Sequence, residues 1–378
     1  MTEQTNVSAA LPLLACPATK LPLVLCTAEQ AEARMGARLA ARKDSVNAKG
    51  VVARPHGVTP SVLLREDLRV AYPVVDGIPI LLVPEMLVPE GQEKAVDLRD
   101  PKYAEAYEEM EFYNRVATEE AEHITDADCY RVVEPVLRAS AADRASFPAP
   151  RSVWIDTIYD AAAQSDCYRH LAPIQGKRIL QVGGKGSHAV KFALGGAAEG
   201  WAMSPMLGEM RCAQTLARAV GVADRFRCVV GIGEEMPFVS GAMDALYMGG
   251  CLHHMCESLA LAESARVLRA GGAFAAAEPW RAPLYALGTR LLGKREPDVY
   301  CRPMTPKRLE PFSQLFPGAE FIHHGALTRY VFLGLNKFGL RFGQSAAWHA
   351  NALDDTVSSL VPGLRHAGSS LALLARKP

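Results

Sequence analysis

The chain predicts an α/β protein: a doubly wound, mostly parallel sheet flanked by helices, with a small α+β unit in front of it. Three observations point there. Residues 178–192 read as a short buried strand, a glycine-rich turn and the first turns of a helix. From residue 175 onward, short apolar runs alternate with helical segments, the rhythm of parallel strands joined by right-handed crossovers. Before residue 96, two apolar runs punctuated by Pro and Gly suit short strands and tight turns.

Composition sets the bounds. A length of 378 residues is room for two domains, and 49% hydrophobic with 22% charged residues is ordinary for a globular chain. Lys plus Arg and Asp plus Glu balance at 41 each, which argues against nucleic acid as a partner. No run of 18 apolar residues marks a membrane span. The N-terminal stretch MTEQTNVSAALPLLACPATK lacks a basic region ahead of its short apolar run, so no signal peptide is expected. Nine scattered cysteines without a CxxC pair fit a reducing cytoplasm.

The N-terminal unit is bracketed by Leu11 to Leu25 and Val70 to Val88, with an Ala/Arg/Glu-rich helical segment from Glu29 to Lys43. The stretches LACPATKLPL and YPVVDGIPILL together resemble the Trm112-like domain, a zinc-ribbon-type fold that associates with methyltransferases. In zinc-binding members of that family cysteine pairs hold the metal. Here Cys16 and Cys26 stand alone beside His56, one ligand short of a tetrahedral site, so the cysteines read as core residues and no metal is expected.

The pattern then turns helical. Residues 102–123 place Tyr103, Tyr107, Met110 and Val116 near one face. Residues 152–171 read as a second continuous helix ending before Pro173. A helix ahead of the first strand can cover the mouth of the sheet, so Tyr159, Gln164 and Tyr168 either face a substrate or pack on the sheet.

The α/β part follows: strands at 179–182, 198–203, 226–230, 243–248 and 273–278, with helices at 187–196, 206–220 and 258–268. Strand-like runs at 321–332 and 371–375 are expected to complete the sheet. Met236-Pro237-Phe238, Met243-Asp244, Leu252-His253-His254, Val267-Leu268-Arg269-Ala270-Gly271-Gly272 and Glu278-Pro279 occur in order. That ordered set resembles the class I methyltransferases dependent on S-adenosylmethionine (SAM), in particular the type 11 group. The resemblance implies a seven-stranded Rossmann-like sheet and SAM as methyl donor, with S-adenosylhomocysteine as product.

Three acidic anchors of that family are replaced. The acid closing the first strand is Gln181, the ribose-binding acid falls on Ala202, and the adenine-binding acid falls on Ile232. In the glycine turn, Lys185 and Ser187 stand where glycines are usual. The resemblance therefore implies cofactor contacts from Gln181, Gly183, Gly184, Gly186, Ser204, Met206, Gly233, Glu234 and Gly249, with Glu209 near the ribose position. The alternative is a methyltransferase fold that no longer transfers methyl groups: a repurposed small-molecule enzyme or a binding scaffold.

Gly249 to Cys256 follows the fourth strand. His253 or His254 is a candidate general base, because an imidazole titrates near neutrality. The bland reading is structural, and a Cys251/His254/Cys256 metal site has poor ligand spacing. Beyond the fifth strand, Glu278, Arg281, Tyr300 and Arg302 are candidate substrate contacts, and convergence of Arg281, Arg295 and Arg302 would select a small acid. Residues 329–378 read as sheet edge and packing surface, with self-association an open role.

The sequence thus divides into a Trm112-like unit (1–96), a helical connector covering the active site (97–174) and a methyltransferase-fold domain (175–378). The expected protein is a cytoplasmic SAM-dependent methyltransferase acting on an O, N or S nucleophile of a small molecule. Protein partners, including a second copy, would meet its N-terminal unit.

Overall fold

The computed structural model describes residues 3–35, 61–67, 70–82, 117, 124, 128–157, 160–283, 303–340, 344–361 and 363–378. The expected helix over 102–123 falls largely outside them, as do His56, Tyr159, Arg295, Tyr300 and Arg302.

In chain order, the N-terminal unit comprises α1 (Glu3–Ala10), β1 (Leu23–Thr27), α2 (Ala28–Met35), β2 (Ser61–Arg65), β3 (Ala71–Val75) and β4 (Ile78–Pro79). Next come α3 (Asp128–Arg138), α4 (Ala141–Ala145), α5 (Arg151–Trp154) and α6 (Ala161–Leu171). The large sheet and its helices run β5 (Arg178–Val182), α7 (Ser187–Leu194), β6 (Glu199–Ser204), α8 (Leu207–Ala219), β7 (Phe226–Val230), β8 (Met243–Gly249), α9 (Glu257–Val267) and β9 (Leu268–Pro279). The chain closes with α10 (Pro306–Leu315), β10 (Glu320–His324), α11 (Thr328–Lys337), α12 (Gln344–Leu360) and β11 (Ser370–Arg376).

Seven strands form one mixed sheet in the order β10-β11-β9-β8-β5-β6-β7. The strands from β5 to β9 are parallel, and β11 runs antiparallel to both β9 and β10. Parallel strands covered on both faces read as unbroken apolar runs, and β7 (FRCVV) is buried at every position. β5 has β6 on one side and β8 on the other, so successive crossovers leave it in opposite directions. A crevice opens at the carboxyl ends of the strands at such a reversal. The glycine turn after β5 lies there.

Where the helix over 152–171 was expected, the chain breaks into α5 and α6 around an extended link at 155–157. Ile155 is buried there with extended backbone, and Gln164 folds back to accept a hydrogen bond from the Asp156 amide at 3.2 Å. Local helix propensity is overridden by burial of Ile155 and by this return contact. The expected run at 321–332 is strand only in its first part; residues from Thr328 are helical. β11 lies inside the sheet rather than at its edge.

The N-terminal unit is a four-stranded antiparallel sheet, β1-β2-β3-β4. An Asp76–Gly77 turn with positive φ at both residues joins β3 to β4, as a tight hairpin requires. This unit docks on the edge strand β7. Leu81 donates its amide to the Val230 carbonyl at 2.8 Å, and Ala15 donates to the Pro237 carbonyl at 3.0 Å. Leu14, Tyr72 and Leu81 share one apolar core with Trp201, Met236 and Phe238. Unpaired edge groups are a liability, and the N-terminal unit covers them. Arg211 pairs with Asp76 at 2.6 Å, and Lys20 reaches Glu263 at 2.7 Å. Cys16 and Cys26 are buried, and the Cys16 thiol lies 3.1 Å from the Tyr72 hydroxyl. Among the described residues no group of His, Cys, Asp and Glu could hold a metal ion.

Candidate functional site

Gly183, Gly184 and Gly186 all have positive φ, at 77°, 70° and 73°. Two of them answer close approaches. A Cβ on Gly183 would stand 2.7 Å from the Cβ of Cys251, and one on Gly186 would stand 2.5 Å from the Cβ of Ala213. Gly183 therefore lets the turn after β5 meet the turn after β8, whereas Gly186 seats α7 against α8. Gln181 stands behind this turn. Its Oε1 accepts the Ala189 amide at 2.8 Å in the first turn of α7, and its Nε2 donates to the Gly183 carbonyl at 2.9 Å. The amide expected to touch the cofactor is spent instead on shaping the loop, consistent with the orphan donors of a helix start.

β6 ends at Ser204, two residues beyond Ala202, which is fully buried under the glycine turn. The acid of this edge arrives one helical turn later. Glu209, 3% exposed, lines the cleft and accepts the Ser204 hydroxyl at 2.6 Å. Ser204 also accepts the Met206 amide at 3.2 Å, which fixes the entry into α8. After β7, Ile232, Gly233 and Glu234 line the same cleft. A Cβ on Gly233 would stand 2.5 Å from the Met255 sulfur, and Glu234 accepts the Cys256 amide at 3.0 Å.

The turn after β8 is held by Glu278 at the end of β9. Glu278 is 1% exposed. Its Oε1 accepts the amides of Cys251 (3.1 Å) and Leu252 (2.9 Å); its Oε2 accepts the His253 amide (3.3 Å) and lies 2.6 Å from His253 Nδ1. The Cys251 thiol closes the other side, donating to the Val182 carbonyl at 3.0 Å.

The result is a cleft of about 230 Å³ across the carboxyl ends of β5 to β8. Of the residues expected to hold a cofactor, Gly183, Gly184, Met206, Gly233, Glu234 and Gly249 line it; Gln181, Gly186 and Ser204 shape it from behind. His254 lines it as well, with its ring 3.9 Å from that of His253. His253 turns toward Glu278 and away from the cleft. Arg281 is exposed and lines neither this cleft nor the cavity beside it; Arg295 and Arg302 lie outside the described residues.

A second cavity, about 470 Å³, adjoins the first through Gly249 and Gly250. Asp156, Asp160, Gln164, His188, Tyr247 and Glu278 contribute to its wall. Asp156 pairs with Lys191, a lysine with no exposure, at 3.5 Å. Burial pushes the Asp156 carboxyl up, but Lys191, His188 and the Gln164 hydrogen bond outweigh it and hold the group below the usual carboxylate range. Burial pulls the Lys191 ammonium down against the attraction of Asp156. Burial likewise drops His188 to about 4, Asp156 opposing and Lys191 adding to the fall, so the ring is neutral at pH 7. His188 Nδ1 lies 2.6 Å from the Tyr168 hydroxyl, and burial holds the Tyr168 and Tyr247 phenols well above their ordinary range.

Sequence reasoning reached Gln164 and Tyr168 but missed Asp156, His188 and Lys191. A histidine directly behind a glycine turn was a usable signal for His188. Nothing local marks Lys191, which reads as a surface residue of α7, or Asp156, which sat in an expected helix.

Residues 180–276 match the family model described as a methyltransferase domain. Among solved structures, the chain is similar to the [4+2]-cyclase SpnF at 24% identity, over 58% of this chain and 81% of that one, with a TM-score of 0.41. It is also similar to geranyl diphosphate C-methyltransferase from Streptomyces coelicolor A3(2), at 16% identity over 69% and 97% of the two chains, TM-score 0.42. The YcgJ protein from Bacillus subtilis aligns at 20% identity over 54% and 92%, TM-score 0.37. The matched stretch runs from β5 into β9 of the seven-stranded, mixed, Rossmann-like sheet. No helix among the described residues is long and apolar enough to cross a membrane.

Proposed function

We propose that the protein transfers the methyl group of SAM to a nucleophilic atom of a small molecule. One observation carries the reading: two cavities at the carboxyl edge of the sheet, one walled by the glycine turn and Glu209, the other by polar side chains, meet at Gly249 and Gly250. A donor and an acceptor need such adjoining chambers.

The residues present fit the donor. Gly183, Gly184 and Gly233 line the cleft without side chains, and a buried carboxylate, Glu209, stands on the wall although the usual strand-end acid is missing. Glu209 would accept the ribose hydroxyls, oriented by the Ser204 hydroxyl. The backbone of Gly183 and Gly184 would take the amino-acid end, with Met206 and Ile232 against the adenine. When bound, SAM supplies an electrophilic methyl carbon whose bond to sulfur breaks as the acceptor's lone pair forms the new bond. The chain's own work is alignment and exclusion of water. Asp156, kept ionised beside Lys191, can accept a hydrogen bond from an O–H or N–H of the acceptor. His254 is the imidazole on the donor wall and remains the candidate to take up the departing proton.

The same proposal takes residues 1–96 as a Trm112-like unit, 97–174 as a connector and 175–378 as the methyltransferase-fold domain, in the cytoplasm. Support for the first comes from its docking on β7 of its own chain. Calorimetric titration with SAM and S-adenosylhomocysteine tests the function: micromolar binding supports it, and no detectable binding by folded protein overturns it.

A further inference from the structure

Resting on that reading, we infer that the second cavity is the acceptor chamber and that His188 is its hydrogen-bond donor through Nε2–H, directed at a carbonyl or ether oxygen of the acceptor.

One hydrogen-bonded chain orients the His188 ring. Gln164 Nε2 donates to the Asp156 carboxylate, which fixes the orientation of the amide, since a carboxylate in this setting only accepts. The same nitrogen donates its second hydrogen toward the Tyr168 hydroxyl at 3.4 Å, and Gln164 Oε1 takes the Asp156 amide. Tyr168 oxygen thus accepts from Gln164, and its own proton is directed to His188 Nδ1 at 2.6 Å. A neutral imidazole that accepts at Nδ1 carries its proton at Nε2. His188 lines the cavity and is only half-buried, and its Nε2 makes no hydrogen bond to any described residue. The ring is steadied by Tyr247, edge-on at 5.0 Å.

Behind His188 the chain is anchored in the core. Lys191, on the same helix as His188, holds Asp156, and Tyr168 is fully buried. Burying a polar chain this long is costly unless every member is satisfied. It sets the orientation of one exposed imidazole nitrogen at the wall of a cavity.

Nitrogen-15 NMR of the imidazoles in the full-length protein tests the tautomer without any ligand. His188 should show Nε2 protonated and Nδ1 bare; the Nδ1–H tautomer overturns the proposal. Tyr168→Phe should release the preference while far-UV circular dichroism stays native. Titration with benzamide, whose carbonyl oxygen accepts hydrogen bonds, supplies the second arm. Benzamide should move the His188 Nε2 resonance; no movement at saturating probe overturns the assignment of the chamber. His188→Phe should keep wild-type SAM affinity. If SAM binds neither protein, the methyltransferase reading fails while the tautomer result stands on its own.

Discussion

The Cβ of Cys251 occupies the space that a side chain on Gly183 would need, 2.7 Å from the position of its missing Cβ. The two residues follow neighbouring strands, β5 and β8, and their approach brings the two turns together at the mouth of the cleft. Cys251 is tied down by its thiol to the Val182 carbonyl and by its amide to Glu278, so it cannot move aside cheaply.

Gly183→Val should therefore weaken SAM binding at least about tenfold, because positive φ and the clash each strain the turn. Calorimetry reads the loss. Unchanged affinity in a folded variant would mean that the cleft does not depend on the turn.

Glu209 offers a second test. Its carboxylate stands where the strand-end acid has been lost to Ala202 and Ser204. Glu209→Gln should cost roughly ten- to hundredfold in SAM affinity, the worth of a charged hydrogen-bond acceptor. Ser204→Ala, which removes only the group orienting that carboxylate, should cost less. Equal losses would point to a packing role for both.

Glu278 was expected to touch substrate, and it does reach the second cavity, but its oxygens are committed to three amides and to His253. Glu278→Ala would leave those donors buried without an acceptor. Thermal or denaturant unfolding should show a loss on the order of 3 kcal/mol. An unaltered midpoint would show that the turn after β8 holds without this carboxylate.

What the sequence made legible follows from how local each signal is. β5 to β9 were readable within a residue or two at most ends because each is an apolar run closed by glycine or a polar turn, as in Gln181-Val182-Gly183. The break between α5 and α6 was not, because residues 152–171 carry no local breaker; Ile155 leaves the helix to enter the core and Asp156 to meet Lys191, far along the chain. The loss of a strand-end acid at Ala202 was legible, and so was Glu209 nearby; that β6 runs on to Ser204, whose hydroxyl orients the Glu209 carboxylate from α8, was not. Fold signals are short-range; the side chains that furnish the two cavities are assembled from elements whose contacts no local pattern encodes.

At the far edge of the sheet, His324 gives a pH prediction independent of the site. Its Nδ1 lies 2.8 Å from Asp355 on α12 and its Nε2 2.8 Å from Asp166 on α6, so one ring joins β10 to two helices. Burial pulls the imidazole down, but hydrogen bonds and charge from Asp166 and Asp355 outweigh it and raise the group to about 9. The folded state thus holds this proton more tightly than the unfolded chain, whose histidine titrates near about 6.5. The stabilisation is fully present below about pH 6.5 and is lost as pH rises through about 9, amounting to on the order of 3 kcal/mol. Denaturant midpoints should accordingly fall between those two pH values. In His324→Gln the fall should largely disappear, because a neutral amide cannot carry the proton; a wild-type slope in that variant would assign the effect to another group.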